Sequence, residues 1–351
     1  MTRVFVVDDS PFIRKALSRI LSLRPDFMLV GAAASGTEAL ERIPIARPHI
    51  VTLDVEMPDL DGLQTLKQLM SRHPGLPVLM LSAHTRDGAH TTLDAMAMGA
   101  MDFIDKSGLN VMDFDRLSRE LLRKIEACSA ARRPFKWDHP GRPSPPTPPP
   151  TTLRHRSRSL PHVNWAAYDV CVIGASTGGP AALQAVIERI PATFPIPVAV
   201  VQHMPVGFTK PFADRLNGLA RIRVRESMDQ DMLEPGLMLV ARAGAHLHVS
   251  PDLSTAVALD PMDAKHIPSV DVLMASAARA RGSRVFGVLL TGMGDDGAEG
   301  MLAIQKQGGM TVAESEETCV VFGMPRAAHL RGGVSHLLPL PDICQLFSPG
   351  G

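Results

Sequence analysis

The chain carries no net charge: Lys and Arg number 36 and Asp and Glu number 36. No global cationic field is therefore on offer to nucleic acid or to an anionic membrane surface. Its four cysteines, Cys128, Cys171, Cys319 and Cys344, stand far apart without CxxC spacing. That excludes a disulfide framework and a zinc knuckle and leaves buried free thiols as the expectation. A long apolar run is missing from the start as well, because Val4 to Val7 gives way at once to two aspartates. Such a run is too short for a signal peptide or a membrane span, so the expected location is cytoplasmic, without membrane insertion. There is no internal repeat and no G-x-G-x-x-G fingerprint, and residues 166–351 hold neither a helix-turn-helix nor a basic helix. Dinucleotide chemistry and DNA readout are disfavoured accordingly.

What is present is a globular chain of 351 residues, 45% of them hydrophobic, which is enough for a sizeable core and too long for a single one. From Thr2 to about Cys128, short apolar runs alternate with amphipathic stretches, the pattern of a parallel α/β unit. The spacing predicts strands at Arg3 to Val7, Met28 to Ala33, Ile50 to Leu53, Val78 to Leu81 and Asp102 to Ile104. Helices are expected at Pro11 to Leu23, Gly36 to Ile45, Gly62 to Ser71, Asp87 to Met98 and Phe114 to Ala127, the first entered through Ser10 as cap with Pro11 in its first turn.

Between Arg132 and Pro161 prolines recur, and seven basic residues face the single acid Asp138. Such a segment favours extended polyproline II and reads as a linker with a solvated basic tail at Arg154 to Arg158. The expected division is 1–129, a linker 130–165, and 166–351. The last unit is again α/β, with strands at Asp169 to Ile173, Val198 to Gln202, Leu237 to Ala241, Ala245 to Val249, Val285 to Leu290 and Met310 to Ala313. Its helices are expected near Gly179 to Ile190, Phe208 to Gly218, Ser269 to Arg281 and Ala298 to Gln307, giving a doubly wound, mostly parallel sheet.

Loops at the carboxyl ends of parallel strands form the ligand crevice. In the first unit these loops carry Asp8 and Asp9, Asp54, Ser82 and Lys106. Three close carboxylates repel one another unless a hard cation neutralises them, and oxygen ligands with room for water suit Mg²⁺. A phosphoryl group on Asp54 would then meet that metal, Ser82 and Lys106. The motifs Val6-Val-Asp-Asp-Ser10, Leu53-Asp-Val-Glu-Met-Pro58 with Asp61-Gly62, Ser82-Ala83 and Phe103-Ile-Asp-Lys106 resemble a response-regulator receiver domain. The resemblance implies Asp54 as phospho-acceptor, Asp9 and Asp54 as metal ligands with the Glu56 carbonyl, and Asp8 as a supporting acid. It further implies Lys106 as phosphoryl partner and Ser82 and Phe103 as switch residues. One departure is Ser107-Gly108 after the lysine, where receivers usually carry proline.

In the second unit the first strand ends in Gly174-Ala-Ser176-Thr-Gly178-Gly179. This matches G-x-S-x-G in a strand-to-helix context, which exposes a serine oxygen. A phosphate-cradling loop or a plain structural turn remain open on spacing alone. His203 ends the next strand, and Thr291-Gly-Met-Gly-Asp-Asp-Gly297 follows another, offering a base, a carboxylate and Gly-rich backbone donors. His246 and His248 face one side of a strand and could hold a metal with His266 or Asp271, although no third ligand has a recognisable spacing. His266 to Asp271 reads better as a helix entry capped by Ser269.

Together with Gln202-His-Met-Pro205, Pro268-Ser-Val-Asp271 and Gly323-Met-Pro-Arg-Ala327, these motifs are similar to the catalytic domain of the chemotaxis protein-glutamate methylesterases. The resemblance implies a triad of Ser176, His203 and Asp296, with the Met293 N–H in the oxyanion hole. By residue type and spacing alone, Asp295 and Asp296 are not separated. Implied with it are hydrolysis of glutamate methyl esters on methyl-accepting chemoreceptors, deamidation of particular receptor glutamines, and no cofactor for that step. A chemotaxis histidine kinase would be the phosphodonor, and the receiver would cover the cleft until phosphorylated. The alternative is a response regulator whose output domain binds a partner or DNA without catalysis.

Overall fold

Strands built from continuous apolar runs, buried on both faces, organise two separate parallel sheets. The structure is a computed structural model that describes residues 1–82, 86–106, 114–129, 137, 160–260, 262 and 264–348. In the first sheet β1 (Thr2–Val7), β2 (Phe27–Ala33), β3 (Ile50–Asp54), β4 (Val78–Ser82) and β5 (Asp102–Asp105) take the order β2-β1-β3-β4-β5. Every pairing is parallel. Around it lie α1 (Pro11–Ser22), α2 (Gly36–Ala46), α3 (Gly62–Arg72), α4 (Arg86–Ala97) and α5 (Phe114–Ser129), close to the expected ranges. Three of these helices begin where a short polar side chain accepts an orphan amide: Ser10 from Ile13, Ser35 from Glu38, and Asp61 from Gln64.

The second unit holds β6 (Val170–Ala175), β7 (Val198–Gln202), β8 (Arg223–Glu226), β9 (Leu237–Val240), β12 (Val285–Leu289), β13 (Met310–Glu314) and β14 (His336–Leu338). They form one parallel sheet ordered β14-β13-β12-β6-β7-β9-β8. Its helices are α6 (Gly179–Ile187), α7 (Thr209–Leu219), α8 (Val270–Arg281), α9 (Ala298–Lys306), α10 (Met324–Leu330) and α11 (Leu340–Leu346). The strand expected at 245–249 exists as β10 (His246–Val249), but it lies outside the sheet. It pairs antiparallel with β11 (Thr255–Ala258), because the chain turns back at once through the Ser250 to Ser254 hydrogen bond. The sequence pattern missed β8, β11, β14, α10 and α11. Each is short, and β8 is a polar edge strand without a continuous apolar run.

Of the expected linker 130–165, only Trp137 and residues 160–165 are among the described residues, so the polyproline segment and the basic tail fall outside them. The chain is already packed before residue 166. Val163 is buried, and the Trp165 indole donates to Leu346 O and packs on Phe194, Phe286 and Phe347.

The two units meet. The Phe103 ring of β5 packs 4.6 Å from that of Phe208 at the start of α7. Asp94 of α4 pairs with Arg215 of α7, and Thr177 Oγ1 donates to Asp102 Oδ2 at 2.5 Å.

Candidate active site and phospho-acceptor pocket

In the second sheet the strand order reverses between β6 and β12, and ligand sites of such folds lie at the carboxyl ends of strands at that reversal. Ser176 follows β6, His203 follows β7, and the loop 291–297 follows β12. The turn from β6 into α6 requires Gly178 at φ +78°, where an added Cβ would also meet the Val320 side chain at 2.6 Å. Its geometry is held from both sides. The Ser176 amide donates to Thr291 O at 3.0 Å, and the His203 amide to Ala175 O at 3.1 Å. The buried Gln202 side chain donates to Ser176 O at 2.9 Å and to His203 O at 3.1 Å. Ser176, His203 and Met293 line one cavity of about 570 Å³, together with His266 and Lys265.

His203 Nε2 lies 2.8 Å from Asp296 Oδ2. Its other ring nitrogen, Nδ1, is buried and has no hydrogen-bond partner among the described residues. Asp296 is held at the N-terminal end of α8. Its Oδ1 accepts from Ser269 Oγ at 2.8 Å, Asp271 N at 3.0 Å and Gly297 N at 3.1 Å, and its Oδ2 from Val270 N at 2.8 Å. Burial alone would push this carboxyl up. The bond to His203, that ring's charge and the amides of Asp271 and Val270 outweigh it and hold Asp296 below the usual carboxylate range. The neighbouring Asp295 instead pairs with Lys265 and Arg331 at a half-exposed position. Adjacent aspartates thus separate by environment.

At the ends of β1 and β3 in the first sheet, Asp8, Asp9 and Asp54 bring oxygen atoms within 4.8 Å of one another. Lys106 Nζ lies 2.5 Å from Asp54 Oδ2 and 3.7 Å from Asp8 Oδ2. Burial, and then the Asp54 charge, pushes Asp8 up to about 6, and burial raises Asp54 as well. Asp8 Oδ2 is buried without a hydrogen-bond partner among the described residues. An oxygen-only set this strained by its own charge fits a hard divalent cation such as Mg²⁺. Glu56 enters through its backbone, its amide donating to Asp54 Oδ1 at 3.3 Å. Ser82 is buried at the end of β4, where its Oγ accepts from Thr92 Oγ1 at 2.8 Å. Ala83, Ser107 and Gly108 fall outside the described residues.

Residues 171–347 match the family model described as CheB methylesterase, and residues 4–114 match the response regulator receiver domain. A protein-glutamate methylesterase/protein-glutamine glutaminase of Carboxydothermus hydrogenoformans is 44% identical over 348 residues, 98% of this chain and 97% of that protein. The chain belongs to the CheB methylesterase family. A methylesterase of the same name from Symbiobacterium thermophilum is 42% identical over 350 residues, 99% of this chain and 96% of its own length. The crystal structure of the Thermotoga maritima CheB methylesterase catalytic domain is 37% identical, with TM-score 0.49, over 51% of this chain and 97% of that one.

Within this methylesterase chain all four cysteines are free and buried, as their spacing implied. The histidine metal reading does not hold. Among the described residues the only cluster able to hold a metal is the aspartate trio. His246 is instead fully buried, its Nδ1 accepting the Ser269 amide at 3.1 Å. Sequence reasoning found Ser269 as the cap of α8 but not its bond to Asp296. It also missed Gln202 and Thr177 as neighbours of the Ser176 turn. Gln202 stood inside a quoted motif; nothing in the spacing could reveal that Thr177 meets Asp102. No helix among the described residues is long and apolar enough to cross a membrane.

Proposed function

We propose that this chain is a phosphorylation-gated serine hydrolase that removes methyl groups from glutamate methyl esters of methyl-accepting chemoreceptors and deamidates particular receptor glutamines. The observation that carries this reading is the His203 imidazole, anchored through Nε2 on an ionised, buried Asp296, with its buried Nδ1 unpartnered among the described residues and its ring lining the same cavity as Ser176. Bonding through Nε2 makes Nδ1 the nitrogen that takes the Ser176 proton as Oγ attacks the glutamyl carbonyl. As the tetrahedral intermediate collapses, the imidazolium gives that proton to the departing methoxide oxygen, releasing methanol, or to the departing amide nitrogen of a glutamine, releasing ammonia. Water, activated by the same nitrogen, releases the glutamate. Met293 supports the oxyanion through its N–H: it lies in the glycine-rich loop after β12 and lines the same cavity as Ser176.

For the receiver, Asp54 is the acceptor of a phosphoryl group donated by a chemotaxis histidine kinase. Asp8, Asp9, Asp54 and the Glu56 carbonyl would hold Mg²⁺, which supplies charge neutralisation for the phosphoryl oxygens. Lys106 pairs with the phosphoryl group, and Ser82 and Phe103 act as the switch. Inhibition in the resting state is supported by α5, whose Glu120, Arg123 and Lys124 wall the cavity of Ser176. It is supported further by Thr177, beside the nucleophile, bonding to Asp102, and by Phe103 packing on Phe208. Phosphorylation shifts the population away from this covered arrangement.

The test is methanol release from methylated receptors, with and without acetyl phosphate, by wild type and Asp54→Asn. Stimulation of the wild type alone is expected. Release by neither protein, phosphorylated or not, contradicts the esterase reading, and equal stimulation of both removes Asp54 from the switch.

A further inference from the structure

We propose that His266 is a positioning residue for catalysis, a planar lid that fixes the ring of His203 between Asp296 and Ser176. The proposal rests on the reading of His203 as the base and extends it to a second imidazole. The two rings lie face to face, with centroids 4.3 Å apart and planes inclined by 17°. This stack sets the His266 ring over His203. Sequence places it there with economy. The six residues 266–271 supply both the ring on His203 and, through Ser269 Oγ and the amides of Val270 and Asp271, three of the donors on Asp296. One segment therefore grips the imidazole by its face and the carboxylate by its oxygens.

A ring in this place must stay uncharged, because His203 becomes an imidazolium during the reaction and a second cation 4.3 Å away would oppose it. The surroundings provide for that. Burial first, and then the charge of His203, lower His266 to about 4 against the opposite pull of Asp296 and Asp295, and Arg123 of α5 adds to the lowering. Lys265 beside it in sequence and Asp102, Glu120 and Lys124 across the cavity are the other charged groups in its surroundings. At neutral pH the ring over His203 is thus uncharged. A flat neutral ring stabilises one orientation of the base, and a misdirected imidazole costs rate far more than affinity.

The experiment measures kcat and KM for methanol release by the phosphorylated full chain, across pH 5 to 9, in wild type, His266→Ala, His266→Gln and His266→Phe. Melting curves establish that each variant is folded. Expected for Ala and Gln is a loss in kcat of about tenfold with KM within about twofold, since the base is misplaced while substrate contacts remain. Their acid limb should move to higher pH as water reaches His203 and favours its charged form. His266→Phe, flat but without a titrating nitrogen, should restore kcat to within about threefold and return the limb toward its wild-type position. Folded Ala and Gln variants with wild-type kcat and an unmoved limb overturn the proposal, as does a folded Phe variant no better than Ala. Should Ala and Gln not fold, the Phe variant decides alone: kcat within about threefold of wild type supports the proposal, and a larger loss in the folded protein overturns it. His203→Ala serves as the separate control: full activity there removes the base assignment itself, whatever His266 does.

Discussion

At the scale of single residues, two aspartates carry opposite burdens. Asp296 is buried yet surrounded by donors, so its charge is stabilised; Asp8 is buried beside another carboxylate, so its charge is strained. The consequences for pH run in opposite directions. Asp296 has a folded pKa below its unfolded value, so its contribution to stability is present above pH ~4 and is lost as pH falls through the folded value. Asp8, raised to about 6, binds more protons folded than unfolded between pH ~4 and 6. Stability therefore declines as pH rises through that window, by up to about 3 kcal/mol. Mg²⁺ relieves the strain and competes with the proton, so it should raise the melting temperature at pH 7.5 and much less at pH 5. Asp8→Asn should raise the melting temperature at pH 7.5 without Mg²⁺ and blunt the response to it. Thermal melts at both pH values check this, and a Mg²⁺ shift equal at pH 5 and 7.5 contradicts it. Asp8 was legible in the sequence, since it closes an apolar strand, whereas Asp296 lies in the loop after β12 and was separated from Asp295 only by the family resemblance. Their pKa directions were not, because these depend on donors contributed by other segments, such as the amides of Val270 and Asp271 on Asp296.

At the scale of elements, the Ser176 turn depends on the loop across from it. A Cβ on Gly292 would stand 2.9 Å from Ser176 Cβ and 3.2 Å from its amide nitrogen, so the loop after β12 presses directly on the serine. Gly292→Ala should push Ser176 off its line to His203 and lower kcat by about 100-fold, with KM moving far less. Steady-state kinetics on methylated receptors read this out; an unchanged kcat means the loop yields instead. Parallel strands and long helices were legible because apolar runs and caps such as Ser10 and Ser269 act locally. The hairpin β10–β11 was misassigned to the sheet, since a four-residue apolar run does not say which neighbour it pairs with. Short α10 and α11 lack enough length for a period to register.

At the scale of the whole molecule, the account requires that the receiver's contacts on α7 and beside Ser176 restrain the hydrolase. Arg215→Glu faces Asp94 with a like charge and should raise unphosphorylated activity by roughly three- to tenfold, leaving phosphorylated activity unchanged. Adding Asp94→Arg should reverse the gain. Basal methanol release identical in Arg215→Glu and wild type removes this pair from the restraint. None of this contact was legible in the sequence, where Asp94 and Arg215 are ordinary surface charges of separate helices.

The central claim is that one hydroxyl performs the attack, and the rate of methanol release by phosphorylated Ser176→Ala tests it most directly. The account predicts a fall on the order of 10⁵-fold in a protein that melts as the wild type does. A rate within tenfold of wild type contradicts it.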